Sequence, residues 1–291
     1  MPHSSQRLIN LRKFMTNYDI RPLQLRILEI LEVIQQVCEQ HGLRYYMIDG
    51  TLIGAVRHKG FIPWDDDMDI GMPRPDYERL IAHAAEWFPK RYELVCFEND
   101  PSYPLHFAKV QDAESTLVER PHLYYLGGVY VDLFPIDGAP TQVWKQKLWN
   151  FRYQFLRKML YFSYRDPYRH GHGPSSWVPL LTRKIMPMAG WQQAVKRCML
   201  EYKFDDCEYA SVNHNDGLGA MIPKREALGD PTPIEFEGRM LWGLKDNHYY
   251  LSKLFGDYMT PPPADKIHQH CFFFMDLDHP YREFDKSQLQ R

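Results

Sequence analysis

Four carboxylates fall within five residues at Asp65-Asp66-Asp67-Met68-Asp69. In an extended segment successive side chains alternate, so Asp65, Asp67 and Asp69 share one face while Asp66, Met68 and Ile70 share the other. Side chains two apart sit roughly 7 Å apart along the backbone, close enough for their carboxylates to converge on one cation. Without a cation they repel, and at least one takes up a proton. Oxygen-only ligands favour Mg2+ or Mn2+. An EF-hand does not fit, because the position that needs Gly holds Ile70. The apolar residues interleaved at Met68 and Ile70 favour a strand with a functional face over a solvated acidic turn. The DxD motif of a nucleotide-sugar glycosyltransferase stays open, since Asp65-Asp66-Asp67 and Asp67-Met68-Asp69 both match it.

A further acid stands apart. In GGVYVDLFPIDG, Val129, Val131 and Leu133 occupy one strand face and Asp132 the other. A lone Asp in an apolar run is costly unless it is paired or binds a metal. Asp137, after a Pro, reads as a cap or turn residue. Trp64 beside the acids could stack on a base or pack in the core. His268, His270 and Cys271 lack a fourth ligand at zinc spacing.

The elements that must position these residues follow from periodicity and breakers. Pro22 opens a helix whose apolar residues, Leu23, Ile27, Ile30, Leu31, Ile34, Val37 and Cys38, keep helical spacing until Gly42. Arg44–Asp49 reads as a strand running into Gly50-Thr51 and a loop, GTLIGAVRHKGFIPW. The acidic strand ends at Pro73 and Pro75, with Asp76 as the cap of a following helix. Further strands are expected at Tyr92–Phe97, Leu105–Val110 and Gly128–Phe134. From Thr141 to about Cys207 the chain turns aromatic, basic and helical, with a break near 167–174. After it come short strands, turns and one helix.

The resulting division is an N-terminal arm over 1–21, a catalytic core over 22–140, a helical insert over 141–207, and a C-terminal part over 208–291 that completes the domain. The class is α+β, a mixed sheet flanked by helices with a helical insertion.

Bulk properties narrow the function. The 291 residues are 25% charged and 44% hydrophobic, enough to bury a full core. A net charge of −2 gives no global basic field for nucleic acid. Five scattered Cys without a CxxC pair argue for a reducing, cytoplasmic setting. The N-terminus lacks the apolar stretch of a signal peptide, and no run approaches the length of a bilayer span. The aromatic and basic insert suits peripheral contact with the inner face of a membrane.

The segment YYMIDGTLIGAVRHKGFIPWDDDMDIGMPRPDYERL, from Tyr45 to Leu80, resembles the hallmark block of the LicD family. That family includes bacterial phosphocholine transferases and resembles the fukutin-type ribitol-phosphate transferases. FAKVQDAEST at 107–116, VDLFPID at 131–137 and YYLSKLFGDYMTPPP at 249–263 extend the match over roughly residues 22–266. The resemblance implies a nucleotidyltransferase-like fold in which Gly50-Thr51 forms a turn ahead of a carboxylate pair. Asp67 and Asp69 would be that pair and Asp132 the third member, with Asp65 assisting at a Mg2+ or Mn2+ site. Asp49 receives no role. Arg57, His58, Lys59 and Lys109, with Gly50 and Thr51, would hold phosphates.

The implied reaction is metal-dependent transfer of a phospho-alcohol from a CDP-linked donor to a hydroxyl of a cell-surface glycan precursor, glycan or lipid-linked, releasing CMP. A DxD glycosyltransferase and a non-catalytic glycan- or membrane-associated scaffold are the competing readings. Three retained costly acids speak against the scaffold.

Overall fold

The computed structural model describes residues 18–119, 125–169, 171–267, 272–285 and 287. His268, His270 and Cys271, and all but the end of the N-terminal arm, lie outside them. Helix α1 (Arg21–His41) carries Pro22 in its first turn, where a missing N–H costs nothing. It buries Leu23, Ile27, Ile30, Leu31 and Ile34, and ends at Gly42 in the left-handed region (φ 62°).

The next stretch departs from expectation. The strand β1 is only Tyr46–Met47, and Gly50-Thr51 is no turn. Both residues lie in the first turn of helix α2 (Asp49–His58), which replaces the expected loop. Strand β2 is Asp69–Pro73 and helix α3 is Arg74–Trp87. Pro75 fits the first turn of α3, so the helix starts earlier than expected and Asp76 is not its cap. Asp76 instead accepts from Arg44 Nε at 2.7 Å.

Strands β3 (Tyr92–Val95), β4 (Ala108–Asp112), β5 (Thr116–Val118) and β6 (Tyr130–Ala139) follow. Then come helices α4 (Val143–Tyr164), α5 (Pro174–Ile185) and α6 (Met188–Met199). Strands β7 (Tyr209–Ser211), β8 (Met221–Pro223), β9 (Thr232–Phe236) and β10 (Arg239–Gly243) precede helix α7 (Asn247–Phe255) and strand β11 (Phe274–Asp276).

The fold is α+β around one mixed seven-stranded sheet. Its order is β1-β2-β6-β4-β3, with β7 on the far half of β6 and β8 on β7. β2 and β6 are parallel, whereas β6 is antiparallel to both β4 and β7. Asp137 is therefore no turn residue: it lies on β6, fully buried, and takes a two-pronged ion pair from Arg74 at 2.7 and 2.6 Å. β9–β10 and β5–β11 form separate two-stranded ribbons.

One large core runs from α1 through the sheet to Phe236, Leu241, Tyr250 and Leu251. A smaller core of Trp149, Tyr153, Leu160, Trp191, Val195, Cys198 and Met199 holds α4 against α6.

Candidate active site

The strand registers set three charged positions in a row. Asp69 on β2 is the Cα partner of Asp132 on β6, and Asp132 is the partner of Lys109 on β4. At the other end, Ile48 donates its N–H to the Asp69 carbonyl at 3.2 Å, which brings Asp49 to the same end of the sheet. The acids ahead of β2 already run beside β6, because Asp132 N–H donates to the Met68 carbonyl at 2.9 Å.

The expected alternation holds across this run even though the strand itself begins only at Asp69. Asp66, Met68 and Ile70 are buried, and Asp65, Asp67 and Asp69 are partly exposed. The Tyr18 hydroxyl donates to the inward Asp66 carboxylate.

Helix α2 secures the outward acids. Thr51 Oγ1 accepts the N–H of Asp69 at 2.8 Å. A Cβ added at Gly50 would stand 3.1 Å from Asp65 Oδ2, so a residue without a side chain lets that carboxylate lie against the helix.

Electrostatics follow from crowding. Burial lifts the Asp69 carboxyl well above the usual carboxylate range, and the charges of Asp67, Asp132, Asp49 and Asp65 push it further. Asp132 is raised to about 7 by burial, with Lys109 pulling it down and Glu119 and Asp67 pushing it up. Lys109 is buried on the Tyr130 ring, its ammonium 3.1 Å from the centroid, and pairs with Asp132 and Glu119 at 3.4 Å each. Burial pulls the Lys109 ammonium down, but the two carboxylates outweigh it and the net shift is upward.

The other basic residues occupy the last turn of α2 and its cap. Arg57 donates through Nη1 to the Tyr258 carbonyl at 2.6 Å and through Nε to His58 Nε2 at 2.9 Å. Burial, then the Arg57 charge, lowers the pKa of His58, consistent with its accepting role. Lys59 turns to Glu235 on β9 at 3.1 Å. Trp64 is partly buried against the core, edge-on to His58.

Four residues without a sequence-based role complete the surroundings. Asp49 is buried at φ 50°, unusual for a non-Gly residue. Its carboxylate accepts from the Tyr250 hydroxyl of α7 and from Asn213 Nδ2 at 2.7 Å. Asp216, raised to about 7 by burial and then by the charge of Asp49, shares a hydrogen bond with it. Burial and the same acids hold the Tyr250 phenol well above its usual range, so it stays a donor. The signal for Asp49 was present: an acid after the apolar Tyr45–Ile48 run needs partners, as Asp132 does.

The acids suit a divalent cation by chemistry. The donors are all carboxylate oxygens, Asp132 Oδ1 is buried with the Lys109 ammonium 3.4 Å from it, and Asp69 is held towards its protonated form by its neighbours. Among the described residues, no three Asp, Glu, His or Cys side chains stand close enough to chelate an ion as placed.

A parallel strand pair presenting matched acids beside a buried Lys is compatible with phospho-group chemistry, and comparison with known proteins gives the class. Residues 42–165 match the family model "LicD/FKTN/FKRP, nucleotidyltransferase domain". Over 273 residues the chain is 27% identical to the lipopolysaccharide cholinephosphotransferase LicD of Haemophilus influenzae, covering 88% of this chain and 97% of that protein. Over 52 residues, 18% of this chain and 10% of the relatives, it is 44% identical to the ribitol 5-phosphate transferase FKRP of Mus musculus and of Homo sapiens. Residues 42–165 thus match a LicD-type domain, and the chain is a phosphotransferase similar along most of its length to a LicD protein.

Proposed function

We propose that this enzyme transfers a phospho-alcohol from a CDP-linked donor to a hydroxyl of a cell-surface glycan precursor and releases CMP. The observation that carries this reading is the register of Asp69 with Asp132 on adjacent parallel strands, with Lys109 next in the row. The relatives support the reaction class: one is a cholinephosphotransferase, the other a ribitol 5-phosphate transferase.

Asp67, Asp69 and Asp132, with Asp65 assisting, would hold Mg2+ or Mn2+. When bound, the cation supplies charge neutralisation for the donor diphosphate. Lys109 adds a fixed positive charge behind Asp132, and Arg57 with the neutral His58 would meet the outer phosphate oxygens. The acceptor oxygen attacks phosphorus as the bond to CMP breaks. Asp132 would take the hydroxyl proton. Such a loose transition state needs alignment more than covalent help. We place the reaction in the cytoplasm, at the inner membrane face where lipid-linked precursors are presented.

The test is a donor screen with Mg2+ present. CDP-choline, CDP-ribitol or CDP-glycerol should raise the melting temperature with the logarithm of its concentration. Turnover should release CMP and leave phosphorus on the glycan. Stabilisation by UDP-sugars alone, with sugar transferred and no phosphorus, would establish the glycosyltransferase reading instead.

A further inference from the structure

We infer that the outward faces of α4 and α5 form a docking surface for an anionic phospholipid bilayer. Three observations converge, and none depends on the proposed donor.

The first is an uncovered apolar stripe. On α4, Trp144, Leu148, Phe151 and Phe155 recur at helical spacing on one face, with Trp144 64% and Phe151 70% exposed. The opposite face of α4 is accounted for, because Trp149, Tyr153 and Leu160 lie in the smaller core. On α5, Trp177 is 67% exposed and Leu181 and Ile185 share its face, while Ser176, Pro179 and Thr182 are buried. Isolated exposed apolar residues are ordinary, but contiguous stripes on two helices are not.

The second is charge. α4, α5 and α6 together carry nine Lys or Arg and no Asp or Glu, in a chain whose net charge is −2. On α4 Lys147 and Lys158 lie along one edge of the stripe, while Arg152 on the other edge is paired with Glu201 at 2.8 Å. A protein partner would have to be strongly acidic and apolar at once, whereas an anionic bilayer offers both properties everywhere on its surface.

The third is residue type. Tryptophans at the stripe ends, with lysine stems beside them, suit the boundary between headgroups and acyl chains. No helix among the described residues is long and apolar enough to cross a membrane, so these helices would lie along the surface. Binding there would raise the local concentration of any lipid-linked acceptor.

The experiment is vesicle flotation of the full chain without donor, so its failure leaves the proposed chemistry untouched. The chain should float with vesicles containing about one-third phosphatidylglycerol and stay at the bottom with pure phosphatidylcholine. Raising salt from about 0.1 M to about 1 M shortens the Debye length from about 10 Å to about 3 Å and should release most of it. F151D with W177D should abolish flotation while leaving the melting temperature unchanged, because both side chains are exposed. K147Q with K158Q should weaken binding about fivefold per charge. Three results would overturn the inference: no flotation of the wild-type chain, flotation of F151D/W177D at the wild-type level, or a wild-type dimer in sedimentation equilibrium that the same pair dissociates.

Discussion

At Gly50 two requirements point in opposite directions. Ala is about 1 kcal/mol better than Gly inside a helix, and Gly50 lies in the first turn of α2. Yet a Cβ there would press on Asp65 Oδ2 at 3.1 Å. Gly50→Ala should therefore keep or raise the melting temperature while turnover falls about tenfold or more. Thermal melts beside initial rates check this, and an unchanged rate would remove Asp65 from the machinery. Asp69 makes a pH-dependent prediction. Its carboxyl is raised by burial and by Asp67, Asp132, Asp49 and Asp65, so the group favours folding below the unfolded carboxylate value of about 4 and opposes it as pH rises towards the folded value. Wild-type stability should thus decline above about pH 4 without divalent cation and recover with Mg2+. Asp69→Asn should flatten that decline, lose the Mg2+ response and abolish turnover. The alternation of Asp65, Asp67 and Asp69 was legible because a period of two is a local property. That Asp49 needs partners was legible as well, but their identity as Asn213, Asp216 and Tyr250 was not, since partners 164 and 201 residues apart leave no local trace.

At the element scale, α1 was readable from end to end, because Pro22, the apolar spacing and Gly42 all point to one helix. α2 was not. Gly50, Gly54 and Gly60 fall within eleven residues, a composition that signals loop, and the helix is held by packing and by Thr51 at Asp69. Tertiary contact overrides propensity there. The tie between α1 and the sheet also rests on a non-local cluster: Arg26 and Arg91 both reach the buried Asp112 carboxylate, at 2.7 and 2.8 Å. Burial pushes Asp112 up, yet hydrogen bonds from Arg91 and Arg26 carry it below the ordinary range. A depressed carboxyl stabilises the fold above the unfolded value of about 4, and that stabilisation fades as pH falls through the folded value. Asp112→Asn should cost about 2–4 kcal/mol at neutral pH and make acid unfolding shallower. Urea titrations at pH 7 and pH 3 measure both, and equal loss at the two values would mean that packing alone holds the tie.

At the scale of the whole molecule, the acid row is built early in the chain but enclosed by its end. The family match stops at residue 165, whereas Phe236, Leu241, Leu244, Tyr250 and Leu251 are fully buried in the same core as α1, β2 and β6. Truncating one such side chain costs about 2–5 kcal/mol, against a total stability of about 5–15 kcal/mol. Asp49 would also lose Asn213 and Tyr250 together, leaving a buried carboxylate stripped of donors. A fragment of residues 18–165 should therefore collapse without fixing its packing. It should retain far-UV helix signal, lose near-UV circular dichroism, bind ANS and show no cooperative melt. Residues 18–267 should melt in a cooperative transition. A sharp transition in the shorter fragment would mean that the acid-bearing sheet is self-sufficient and that the C-terminal part serves only to close over it.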